Sequence, residues 1–317
     1  MNVYFFGAGA SAAEGAPATR DFFAQAWRLL GPAFDDRVVE VWQFLEYVFG
    51  APVAGPASFD LVPAVDEVIS LVDWSLHVNQ GLGQRYDPPR LYQIRRHLEH
   101  LLCATLDAAL ERRNHRPEGP HARFARQLAA QGRPGDYALL SLNYDTLLDD
   151  ALRDAGLAPD YGFGERKAGP LLAKLHGSLN WAVCPACGLV AVGARACQRC
   201  DNRRLHGLII SPTLIKSYEG AHLQQIWDRA LACVQQADRL LFVGYSLPEA
   251  DVAVYHLIRR GLLAGRRPCP PVTVINHTDS TWSEGERTLH QRSVMARFTR
   301  LFGPGVTFDF SGFHGQV

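Results

Sequence analysis

The chain lacks a net charge. Its 317 residues carry 32 Lys and Arg against 32 Asp and Glu, so the whole-molecule positive field that grips nucleic acid is missing, and only a local basic patch remains open to it. Long apolar runs are missing as well. No stretch has the length of a bilayer-crossing helix. Ala10-Ser11-Ala12 mimics a signal-peptidase site, but the apolar run before it is short and no cation precedes Arg20, which argues against a secretory signal. Internal repeats and low-complexity tails are absent too. Apolar residues are plentiful at 47%, with 20% charged, a soluble globular composition. The length suits one large domain or about one and a half smaller ones. Seven cysteines without an export signal predict a reducing, cytoplasmic setting, where closely paired cysteines bind metal more often than they form disulfides.

Val3 to Phe6 reads as a strand entering a glycine turn, with a helix after it. Phe22, Phe23, Ala26, Leu29 and Leu30 predict a helix over 21–30. Residues 34–134 show helical periodicity throughout, clearest in Leu91, Ile94, Leu98, Leu101, Leu102 and Leu106. Pro/Gly clusters break this stretch, which is expected to be a helical insertion. Strands are predicted at 137–142, 171–175, 208–211, 240–243 and 272–275, and helices at 146–155, 249–263 and 282–301. Near-continuous Val/Ile/Leu strands separated by helices predict an α/β fold: a Rossmann-like parallel sheet covered by helices on both faces. Residues 1–33 and 135–317 are expected to form it.

Cys184-Pro-Ala-Cys187 and Cys197-Gln-Arg-Cys200 are paired C-x-x-C knuckles. Their thiolates match tetrahedral Zn2+ and close its coordination shell, so the site is expected to be structural, within a small zinc-ribbon module at 181–207. Gly188 follows the first knuckle, as a tight turn needs.

Gly7-Ala8-Gly9-Ala10-Ser11-Ala12 forms Gly-x-Gly-x-x-Ala at the first strand. Such glycines let main-chain amides approach a pyrophosphate; an ordinary tight turn would look the same. The ribose-binding acid expected about twenty residues on cannot be placed, which argues against a plain dehydrogenase. Other polar residues fall at strand ends, where open parallel sheets bind ligands. Asn143 suits a ribose hydroxyl or a water, and His176 suits proton transfer. Asp145 suits the same site or a helix N-cap. Gly244 and Ser246 suit a phosphate or ribose. Pro248 stands where a Gly-x-Ser-x-Gly elbow needs its second glycine, which argues against a serine hydrolase. Asp251 suits the positive end of the next helix. Asn276 suits a ribose or a turn.

In order, these pieces resemble the sirtuin superfamily. Gly7-Ala8-Gly9-Ala10-Ser11 and Gly15-Ala16-Pro17 are similar to its Gly-Ala-Gly-x-Ser and Gly-x-Pro segments. Asn143-x-Asp145 resembles its Asn-x-Asp motif and His176-Gly177 its catalytic His-Gly. The knuckles follow where sirtuins carry theirs. Gly244-x-Ser246-Leu247 and Ile275-Asn276 are similar to its last NAD-binding segments. Protein deacylases of the family carry Gln where Leu142 stands and Asp-Phe-Arg where Ala18-Thr19-Arg20 stands. The helical insertion, Asn143-Tyr144-Asp145, Ser211-Pro212-Thr213 and Lys216 resemble instead bacterial sirtuin-like proteins of antiphage defence.

The resemblance implies NAD+ glycohydrolysis. Gly7, Ala8, Gly9, Ala10, Ser11, Pro17, Gly244, Ser246, Leu247 and Asn276 would bind NAD+, and Asn143, Asp145 and His176 would act on it. The alternatives are an NAD-dependent protein-lysine deacylase and a non-catalytic NAD or ADP-ribose sensor. The resemblance runs almost to Val317, so the trigger is expected from a partner, such as a HerA-type ATPase or another defence protein, or from homo-oligomerisation. No membrane partner is expected.

Overall fold

The computed structural model describes residues 1–317 apart from 18, 20, 51, 112–117, 165, 214–219, 265–267, 278–281 and 317. Ala18, Arg20 and Lys216, singled out above, lie outside the described residues. The chain divides into two compact units, one of residues 1–14, 115–209 and 218–317, the other of 15–114 and 210–217.

Asn2–Phe6 forms strand β1, in which every residue from Val3 is buried. Successive strand residues point to opposite faces, so both faces of β1 must be covered. Helix α1 (Ala8–Ala12) follows at once. It begins inside the glycine motif, where the sequence suggested a helix beyond it.

The helical unit holds α2 (Phe22–Leu30), α3 (Asp36–Phe49), a 3-10 turn (Pro56–Leu61), α4 (Val65–His77) and α5 (Pro88–Glu111). Asp35 starts α3 by accepting from the Val38 amide at 2.9 Å, and Gly50 ends it at φ 70°. The α5 stripe read from the sequence is buried. Residues 210–217 group with these helices. The strand predicted at 208–211 stops at Ile209, and the Ser211 hydroxyl instead donates to Glu99 of α5 at 2.9 Å.

The other unit continues with α6 (Pro120–Gln131), β2 (Tyr137–Ser141), α7 (Leu147–Asp154) and β3 (Leu171–Lys174). Next come β4 (Gly177–Val183), β5 (Val190–Val192), β6 (His206–Ile209) and α8 (Ala221–Gln235). It ends with β7 (Arg239–Val243), α9 (Val252–Ala264), β8 (Val272–Ile275), α10 (Glu284–Phe302) and β9 (Thr307–Asp309). Six strands form one sheet in the order β3-β2-β1-β7-β8-β9, parallel throughout. Helices cover both of its faces. Tyr4 and Phe6 meet Phe124 of α6 with ring centroids 5.2 and 5.3 Å away. Phe5, on the opposite face, stacks on Phe242, which meets Phe298 of α10 at 4.9 Å. A second, antiparallel sheet has the order β5-β4-β6.

Candidate functional site

In the large sheet the chain builds outward from β1 through β2 to β3, then returns to β7 on β1's other side. Open parallel sheets bind ligands at such a reversal, outside the carboxyl ends of the strands. Here the turns after β1 and β7 cross. Gly7 donates its amide to Val243 O at 3.0 Å and Gly9 to Gly244 O at 2.8 Å. A Cβ on Gly7 would lie 2.7 Å from Gly244 O, and one on Gly244 (φ +62°) 1.9 Å from Ala10 N. The glycines are therefore required first by main chain packed on main chain.

The ends of β2 and β3 close a ring of contacts with this crossing. Asn143 spends Nδ2 on Gly7 O and the Ser11 hydroxyl, both at 2.9 Å, and so pins the glycine turn. His176 lies within hydrogen-bond distance of Leu142 O through Nδ1, at 3.2 Å. A carbonyl only accepts, so Nδ1 carries a hydrogen and Nε2 is the nitrogen left to take up a proton. Asp251 Oδ1 stands 4.0 Å from Nε2, and Asp251 Oδ2 accepts from the Tyr245 hydroxyl at 3.0 Å. Tyr245 follows Gly244, which returns the ring to the crossing. Tyr144 stacks beside the His176 ring, centroids 6.2 Å apart.

Asp145 Oδ1 accepts from the Leu147 amide at 3.1 Å, a local turn contact two residues on; the N-cap of α7 is Thr146, not Asp145, and it makes no side-chain cap. The Asp145 carbonyl accepts from Lys174 Nζ. Lys174 is fully buried and pairs with Asp149 at 3.0 Å, which in turn accepts from the Tyr161 hydroxyl at 2.7 Å.

Along the same sheet edge, Ser246 accepts from Arg297 through its carbonyl at 2.9 Å, and buried Leu247 holds a left-handed φ of 52°. Asn276, 5% exposed, accepts from its neighbour His277 with Oδ1. Its Nδ2 is buried without a hydrogen-bond partner among the described residues. Beside it, His277 lines a cavity of about 640 Å³ with Glu14, Glu118, Arg123, Phe313 and His314. Of the predicted binding residues, Pro17 lies in the helical unit. Asp251 and Tyr245 were not predicted for the site.

The cysteines converge at the small sheet. Cys184 and Cys200 sulfurs are 3.5 Å apart, Cys187 and Cys197 3.4 Å, and Cys187 and Cys200 3.8 Å. A tetrahedron with metal–sulfur bonds of ~2.3 Å has edges of ~3.8 Å, so the spacing fits one Zn2+. The knuckles share one turn. Gly188 donates to Cys184 O at 2.8 Å and Asp201 to Cys197 O at 2.9 Å, at φ 72° and 56°. The Arg199 amide holds the Cys197 thiol down at about 6. Against an amide from Asn202, the neighbouring sulfurs, Cys184 foremost, push Cys200 up to about 12. Crowded thiols of this kind become thiolates together only around a cation.

Residues 138–291, just under half of the chain, match the family model described as SIR2-like domain. The stretch includes Asn143, Asp145, His176, the paired cysteines, Gly244 to Leu247, Asp251 and Asn276, while the glycine turn lies outside it. No curated protein matches. Among solved structures, the crystal structure of Sir2 in complex with the inhibitor EX-527, 2'-O-acetyl-ADP-ribose and deacetylated p53-peptide is similar at 12% identity and a TM-score of 0.41. The match covers 99% of this chain and 89% of that one.

Proposed function

We propose that this chain, with its SIR2-like stretch, is an NAD+ glycohydrolase that cleaves NAD+ to ADP-ribose and nicotinamide. The observation that carries this reading is the ring at the sheet's reversal, in which a pinned glycine crossing stands next to a buried histidine backed by a carboxylate. A dinucleotide fits such a place, its phosphates near main-chain amides and its reacting ribose near an acid–base group. The orphaned Nδ2 of Asn276 is a buried donor in want of an acceptor, as an adenosine ribose hydroxyl would supply.

Gly7, Ala8, Gly9, Ala10, Ser11, Gly244, Ser246 and Leu247 hold the phosphates and ribose. Asn143 anchors the glycine turn through Nδ2, which leaves Oδ1 to place the ribose or the attacking water. As the ribose C1′–N bond breaks, its electron pair passes to the nicotinamide ring. Water bonds to C1′, and its proton goes to His176 Nε2. Asp145 supports the positive charge that develops on the sugar. Cys184, Cys187, Cys197 and Cys200 would hold Zn2+, which would fix the knuckle turns and, with four thiolates around it, would have a structural and not a catalytic part.

A freely running NAD+ hydrolase would drain its host. Full activity in antiviral defence is therefore expected only with a partner or in a homo-oligomer, the chain alone keeping a slower basal hydrolysis. Incubation of the full chain with NAD+ alone, followed by chromatography, tests the reading. ADP-ribose should form without peptide, and His176→Ala should lower the rate by about 10²–10⁴-fold. Nicotinamide release only with an acyl-lysine peptide would identify a deacylase. Calorimetric NAD+ binding without turnover, with or without peptide, would identify a sensor.

A further inference from the structure

Asp251 has a second partner that its place in the sequence does not suggest. Its main chain starts α9: its amide donates to Pro248 O at 3.0 Å, and its carbonyl accepts from Val254 and Tyr255 at 3.0 and 3.1 Å. Its carboxylate, 9% exposed, turns to the Tyr245 hydroxyl and the His176 ring. The Asp251 main chain and Tyr245 hold this carboxylate, and Leu142 O holds the far side of the imidazole.

We infer that Asp251 is the positioning residue of His176, orienting the ring and stabilising the imidazolium that forms when Nε2 takes up a proton. At 4.0 Å the contact is too long for a hydrogen bond to the neutral ring. It is close enough for opposite charges to favour the protonated form. The carboxylate therefore strengthens as a partner at the moment Nε2 gains its proton, the differential stabilisation that speeds a reaction. The titratable groups against the ring include Tyr144 at its face and Asp251 at Nε2, with Tyr245 behind Asp251. Lys174, on the strand leading to His176, turns to Asp149.

The kinetic consequence rests on the NAD+ hydrolase reading, whereas the titration of the ring does not. Full-length protein labelled at histidine is titrated by NMR, with the His176 signal assigned by its loss in His176→Gln. Asp251→Asn, which keeps an oxygen to accept from Tyr245, should lower the His176 midpoint by about one pH unit. Asp251→Glu should restore most of it. With NAD+, Asp251→Asn should lower kcat by about 10²-fold at unchanged KM and move the acid limb of the profile with the NMR midpoint. The double variant with His176→Gln should be no slower than His176→Gln alone. A midpoint in Asp251→Asn within about 0.2 unit of the wild type overturns the inference. So does a double variant whose losses multiply. A midpoint that shifts in Asp251→Asn, together with a wild type that leaves NAD+ intact, supports the pairing and sinks the hydrolase reading alone. If Asp251→Asn does not fold, Tyr245→Phe loosens the carboxylate without removing it. The midpoint should then move the same way by less, and no movement overturns the inference.

Discussion

Gly244→Ala adds one methyl group where the turns after β1 and β7 cross. The new Cβ would stand 1.9 Å from Ala10 N and 2.5 Å from Gly9 C, on a residue at φ +62°. A left-handed conformation costs an L-residue about 1–2 kcal/mol. The overlap is with main chain, so no rotamer relieves it and the turns must part. Parting them breaks the 2.8 Å bond from the Gly9 amide to Gly244 O, a net loss of about 0.5–1.5 kcal/mol before any penalty for unsatisfied groups. The sum is about 1.5–3.5 kcal/mol, a large share of a typical domain stability of about 5–15 kcal/mol. Gly156→Ala isolates the conformational part, because Gly156 has φ +78° and nothing within 4 Å of a built Cβ. Urea unfolding of both variants, followed by tryptophan fluorescence, measures the difference. Calorimetry with NAD+ at a denaturant-free temperature where both are folded measures the site. Gly244→Ala should be the less stable by about 1–2 kcal/mol or more and should lose NAD+ binding, while Gly156→Ala keeps it. Equal stabilities with intact binding in both would refute the claim that the crossing shapes the site.

Elemental analysis of protein purified without chelators should find about one zinc per chain, lost in Cys197→Ser together with thermal stability; metal-free protein of unchanged stability would contradict the site. Lys174→Met should cost about 3–5 kcal/mol by stranding buried Asp149, and Lys174→Met/Asp149→Leu should recover much of it; equal losses in single and double variants would count against the pair. Asp35 is held down at about 2, against the effect of burial, by the Val38 amide and then by His100 and Arg37. Its folded value lies below the unfolded one, so its stabilisation is present above about pH 4 and lost as pH falls through about 2. The stability gap between wild type and Asp35→Asn should close over that window, and a gap that persists at the acid end would contradict the assignment.

The strands β1, β2, β3, β7 and β8 were legible because apolar runs buried on both faces stand out from helical spacing. Short β5 and β9 are too brief to show a period, and β4 is interrupted by Asn180. Helix α8, absent from the expected elements, has a helical stripe in Leu223, Ile226, Ala230, Leu231 and Val234. The capping box of Ser283 and Glu286 starts α10 two residues after the predicted Trp282. At the site, sequence singled out Gly7, Gly9, Asn143, His176 and Gly244 but not what they meet. The glycines were read as approaching a phosphate, yet each first approaches another turn. Asn143 was read as facing a ligand, yet its Nδ2 holds Gly7 and Ser11. Asp251 looked like an ordinary helix-start acid. Such pairings join residues far apart in the chain, and spacing within one sequence carries no trace of them.

The central place of β1 also sets an order in time. Asn2 pairs with Tyr137 on one side and Arg239 on the other. At about 5–20 residues synthesised per second, β1 waits about 7–27 s for its first neighbour and about 12–48 s for its second. Through that interval an uncharged Asn-Val-Tyr-Phe-Phe strand has both edges bare, a template for pairing with other nascent chains. The helices α3, α4 and α5 emerge meanwhile and can pack on one another through nearer contacts. Charge placed in Val3–Phe6 would trade aggregation during synthesis against burial in the finished sheet. The yield of folded protein at the ribosome, more than its melting temperature, is where chaperone dependence of this chain should be read.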